Sequence, residues 1–103
     1  MKNVIILGLK LRIEERRMIL TKDTVKEKIL DYLSLKINLK VLVEWCEEQF
    51  LYSELEESDF ETLSEILSKI GLADVKNFGI EWHEWNEFLL KLGYKVEIQL
   101  KVV

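Results

Sequence analysis

From Ile5 the odd positions Ile5, Leu7, Leu9, Leu11 and Ile13 are apolar, while Gly8, Lys10, Arg12 and Glu14 alternate with them. That is the period of a half-buried strand. The far end repeats it: Tyr94, Val96, Ile98, Leu100 and Val102 alternate with Lys95, Glu97, Gln99 and Lys101. Between these two predicted strands the period lengthens to that of helices. Thr21 can cap a first helix over Lys22 to Ser34, with Val25, Ile29, Tyr32 and Leu33 on one face. Asn38 can cap a second, whose stripe is Leu39, Leu42, Val43, Cys46 and Phe50, widened by Val41 and Trp45. So much apolar surface predicts a central helix. Ser58 to Glu61 reads as a capping box that opens a third helix with Phe60, Leu63, Ile66, Leu67 and Ile70 inward, stopped by Gly71. After a short turn between Leu72 and Gly79, Trp82, Trp85, Phe88, Leu89 and Leu92 predict a fourth helix ended by Gly93.

This order predicts one α+β domain over residues 1–103, with about four helices packed on a small antiparallel sheet made by the N- and C-terminal strands. A lone two-stranded sheet is marginal in water, so its outer edges call for a helix or a second copy of the chain, and a homodimer through a strand edge is one expectation.

The first 17 residues differ from the rest in their bases: they hold all three arginines, Arg12, Arg16 and Arg17, whereas every later strong base is lysine. Glu14-Glu15-Arg16-Arg17-Met18 is also what a purine-rich ribosome-binding sequence encodes when translated in frame. Residues 1–17 therefore have two readings of equal standing, a native first strand or an upstream extension before a natural start at Met18.

Composition narrows the function classes. Fifteen basic against 19 acidic residues leave a net charge of −4, which argues against binding nucleic acid or an anionic membrane surface. A single cysteine and a single histidine rule out an internal disulfide and multi-histidine metal sites. The apolar run at the start is interrupted by Lys10 and Arg12 and has no small-residue cleavage site. A free thiol without an export signal predicts a cytoplasmic protein.

Charge patterning is the strongest signal outside the predicted core. Between Val41 and Ser68 lie nine acids, including Glu44, Glu47, Glu48, Glu54, Glu56 and Glu57, and no Lys or Arg. Like charges at i, i+4, as in Glu44 and Glu48, oppose helix formation by a few tenths of a kcal/mol, so helix stability does not account for them. Solubility is the plain explanation; a docking surface for a basic protein is the functional one. No Asp-x-Asp-x-Asp-Gly loop for calcium is present.

Three other features invite chemistry. His83 sits beside Glu81 and Glu84, with Asn86 near it and Glu87 one turn on, so Glu87 can tune its imidazole for proton transfer; a surface histidine with local pairing is the plainer alternative. Cys46 lies in the middle of an apolar stripe, where a thiol acts as a small hydrophobe. The three tryptophans recur at helical spacing and belong to the core, with Trp82 at its margin. No cofactor or metal site is read from these residues.

The segment from Lys28 to Trp45, a helix, then Ser34-Leu35-Lys36-Ile37-Asn38, then a helix, resembles the opening of many small uncharacterised bacterial helical proteins, some of them like the immunity proteins that neutralise colicin-type toxins. The resemblance covers about a fifth of the chain and leaves out the C-terminal strand. It implies a small acidic protein that blocks a basic nuclease by electrostatic docking. The function expected from the sequence is thus non-catalytic binding of a basic protein partner inside the cell, immunity- or antitoxin-like. The alternatives are a small enzyme or ligand-binding protein using His83, Asn86 and Glu87, and a structural subunit that dimerises.

Overall fold

A computed structural model describes residues 18–75 and 79–102. In chain order these form strand β1 (Ile19–Leu20), helix α1 (Lys22–Leu33), helix α2 (Leu39–Tyr52), strand β2 (Glu54–Leu55), a 3₁₀ turn (Glu57–Asp59), helix α3 (Phe60–Ile70) and helix α4 (Trp82–Lys91).

Three of the four helices begin where a side chain meets an orphan amide. Thr21 Oγ1 accepts from the Thr24 amide at 3.4 Å, and Asp23 places negative charge in the first turn of α1. Asn38 Oδ1 accepts from the Val41 amide at 2.9 Å. The expected capping box at Ser58 does not form: Ser58 lies in the 3₁₀ turn, and Asp59 precedes α3 without a side-chain cap. A capping box stands instead at α4, where the Glu81 amide donates to Glu84 Oε1 at 3.3 Å.

Two helices stop in the same way. At the end of α1 the Leu35 amide donates to Tyr32 O at 3.0 Å and the Lys36 amide to Asp31 O at 2.8 Å. At the end of α4 the Gly93 amide donates to Leu90 O at 3.0 Å and the Tyr94 amide to Leu89 O at 2.8 Å. Both are Schellman motifs, which need one left-handed residue. Gly93 supplies it with φ 94°, and Leu35 with φ 66° despite its side chain. Gly71, expected to stop α3 in that manner, has φ −59° and stays in the right-handed region.

The core is the common apolar face of the four helices. Leu63, Ile66, Leu67 and Ile70 of α3 are fully buried, and they meet Val25 and Ile29 of α1, Leu42 and Cys46 of α2, and Phe88 and Leu89 of α4. Burial of each such aliphatic or aromatic side chain contributes roughly 1.5–3 kcal/mol. Tyr32 stacks at a tilt on Trp85, centroids 5.2 Å apart, and Trp85 meets Phe88 edge to face at 5.8 Å. The centre of the fold is therefore α3 rather than α2. Phe50 and Phe60, counted into buried stripes from their spacing, lie near helix ends and are exposed.

The α+β class holds in its coarse form, four helices and a small sheet, but the sheet differs from the expected one. It is parallel: Ile19 pairs with Glu54 and Leu20 with Leu55, and the amides of Glu54 and Glu56 donate to the carbonyls of Met18 and Leu20 at 2.9 and 3.0 Å. Leu20 alone of its four residues is buried. The residues from Tyr94 to Val102 form no strand; Tyr94 and Val96 pack on the core and the chain beyond them is exposed. The predicted strand from Ile5 to Ile13, and with it the choice of start at Met18, lies outside the described residues.

Candidate functional site

The acids from Glu44 to Glu65 separate into two groups once the helices are in place. Glu65 Oε1 lies 3.0 Å from Lys91 Nζ and 3.5 Å from Lys69 Nζ, and Asp59 lies 3.6 Å from Lys22 Nζ. The hydrogen bond from Lys91 holds the Glu65 carboxyl below its ordinary range. These two acids are paired within the chain. Among the described residues Glu61 and the six acids Glu44, Glu47, Glu48, Glu54, Glu56 and Glu57 form no ion pair. All six are exposed except Glu56, which is half-buried.

On α2 the spacing of Glu44, Glu47, Glu48, Leu51 and Tyr52 is i, i+3, i+4, i+7, i+8, so the five side chains share one face of the helix. The opposite face carries the buried Leu42, Val43 and Cys46. Leu51 is 62% exposed and Tyr52 69%. Three carboxylates thus lead into two exposed apolar groups, and the chain then turns through Glu54, Glu56 and Glu57. An apolar centre with a charged rim is the anatomy of a protein-docking surface. The sequence reading found the carboxylates of this face but not Leu51 or Tyr52, although both already fell on the Glu44 to Glu48 stripe in the helical spacing.

His83 stands on the outward side of α4 with its side chain exposed, its Nδ1 3.4 Å from Glu81 Oε2. Its acidic neighbour is therefore the capping residue and not Glu87. Asn86 is half-buried and Glu87 exposed.

Surface clefts lined by described residues include four of about 230 to 680 Å³. One of about 470 Å³ follows Glu57 to Thr62, and one of about 480 Å³ lies between Thr21, Asp23, Asp59 and Tyr94. A third of about 230 Å³ runs beside Met18, Ile19 and Trp45. The fourth, about 680 Å³, is the most apolar, with Leu30, Leu33, Trp82, Leu89 and Val96 in its walls and Glu27, Asp31 and Lys36 among its polar residues. None of the four includes His83, Asn86 or Glu87. Among the described residues no group of three His, Cys, Asp or Glu is placed to hold a metal ion. No helix among them is long and apolar enough to cross a membrane.

Cys46 is fully buried, and burial pushes its thiol from the ordinary 9.0 up to about 12. The neutral thiol is the form present at physiological pH, without the thiolate that nucleophilic attack requires.

No protein-family model, curated protein or solved structure matches the chain.

Proposed function

We propose that the protein is a non-catalytic binding domain that docks a basic protein partner on the outward face of α2 and the turn that follows it. The observation that carries this reading is the run of carboxylates with no ion pair among the described residues, Glu44, Glu47, Glu48, Glu54, Glu56 and Glu57, continuous with exposed Leu51 and Tyr52. Carboxylates without an ion pair among the described residues keep their field for an incoming cation and speed encounter, while an adjacent aromatic and an aliphatic group supply surface to bury. Neutralising a toxin in the manner of an immunity protein or antitoxin is one biological form of such docking, carried out inside the cell.

Affinity capture from lysate at low and at high salt, with the wild-type chain beside a Glu47→Lys, Glu48→Lys, Glu54→Lys variant, tests it. The expected result is a basic protein held by the wild type at low salt, released at high salt, and absent from the variant. Equal capture of the same protein by the variant rejects the acidic face as the docking surface.

A further inference from the structure

The residues after α4 combine a fixed root with an uncovered end. Tyr94 is tied by its amide to Leu89 O and by its hydroxyl to Asp23, and Val96 lines the apolar cleft with Leu30, Leu33 and Trp82. Beyond it, Ile98 is 72% exposed, Leu100 94% and Val102 wholly so. Three aliphatic side chains at alternate positions in water, with Glu97, Gln99 and Lys101 between them, form a strand pattern without a partner strand among the described residues.

We infer that this segment pairs antiparallel with the same segment of a second copy, in the register that sets Gln99 opposite Gln99. Only residues whose numbers differ by an even step share a face of a strand, so the symmetric registers are few. Centring on Glu97 opposes two carboxylates directly. Centring on Ile98 sets Lys95 against Lys101 twice, centring on Lys101 opposes two ammonium groups, centring on Leu100 leaves Glu97 without a lysine opposite it, and centring on Val96 draws in the rooted Tyr94, whose amide is already given to Leu89 O. Centring on Gln99 sets Glu97 against Lys101 twice, Ile98 against Leu100 twice and Val96 against Val102 twice, so that between residues 96 and 102 opposite charges face each other and aliphatic groups face aliphatic groups. The arrangement is isologous, as a two-fold dimer requires.

The same register explains the cleft. Directly opposed residues stand about 4.5–5.5 Å apart, so the partner's Val102 would lie beside Val96 at the cleft wall, within reach of Leu30 and Trp82. A two-stranded ribbon is marginal alone and needs a surface under its apolar face. Each copy offers that surface to the end of the other. This dimer does not use the acidic face of α2.

The mass in solution and the register are both measurable. Sedimentation over a range of micromolar concentrations should pass from the 12.3 kDa chain to twice that mass. Under mild oxidation a Gln99→Cys variant should cross-link to itself, Glu97→Cys alone should not, and a mixture of Glu97→Cys with Lys101→Cys should form the mixed dimer, since opposed positions fall within disulfide range. Glu97→Lys should weaken the dimer about tenfold, and the exchange Glu97→Lys with Lys101→Glu should restore it. Circular dichroism on each variant reports that the helices are intact. A monomeric mass at every concentration overturns the inference, as does a dimer that neither cross-links through position 99 nor responds to the charge exchange.

Discussion

The hydroxyl of Tyr94 donates a hydrogen bond to the carboxylate of Asp23, tying the residue that follows α4 to the first turn of α1. Lys26, one turn further along α1, stands 4.7 Å from the centroid of the same ring. The chain after the last helix is thereby held against the first.

This tie sets a pH dependence. The hydrogen bond to Asp23, followed by burial, raises the Tyr94 hydroxyl above its ordinary range. The native state therefore favours the protonated phenol. Stability from this group is complete below the unfolded value near 10 and declines as pH rises through the higher folded one. Tyr94→Phe should lower the denaturation midpoint at neutral pH and flatten the alkaline limb of a urea midpoint against pH curve. An alkaline limb identical in the two proteins rejects the tie.

Leu35 and Gly93 perform one backbone task with different side chains. Leu35 is 89% exposed, so its replacement forfeits little burial, and a left-handed non-glycine residue carries roughly 1–2 kcal/mol of steric cost. Leu35→Gly should raise stability by about 0.5–1 kcal/mol after the extra chain entropy of glycine is subtracted. Gly93→Ala should lower it by roughly 1 kcal/mol, although a Cβ built there meets nothing within 4 Å. Equilibrium urea unfolding of the two variants measures both signs; a stabilised Gly93→Ala would contradict the assigned backbone.

Cys46 should be silent to thiol reagents in the folded protein and react only as fast as the chain opens, because its sulfur is buried and its thiol is raised to about 12. Labelling rates should rise with urea in step with unfolding. Cys46→Ser should cost about 1–3 kcal/mol by placing a hydroxyl among aliphatic neighbours, and Cys46→Ala less than the serine change. Rapid labelling in native buffer would show the thiol to be accessible.

The helices were legible because each displays a stripe at a period of 3.6 and most carry their punctuation in sequence: Thr21, Asn38 and Gly93 act where spacing placed them. Glu81 was not legible as a cap, since glutamate is an uncommon residue there and only the reciprocal contact with Glu84 reveals it. The parallel pair was out of reach for a different reason. Strands of two residues, Ile19–Leu20 and Glu54–Leu55, are shorter than one full alternation and leave no periodic trace. Phe50 and Phe60 fit their stripes by phase, but a stripe does not say where along its length the neighbouring helix ends. The alternation from Tyr94 to Val102 records a preference for a pleated surface, and a preference of that kind becomes a strand only when another backbone supplies the hydrogen bonds. As for the docking face, its charges were plain in the composition, whereas its apolar component emerged only when α2 had an inside and an outside.

The parallel pairing of Ile19 with Glu54 joins the two ends of the α1–α2 hairpin. Such a clip has no local precursor: its two partners meet only when the helices between them have formed and folded back on each other, since loop closure must precede the pairing. It acts as a latch on a door already shut. Changes at the latch should therefore be felt in how fast the structure comes apart and hardly in how fast it assembles.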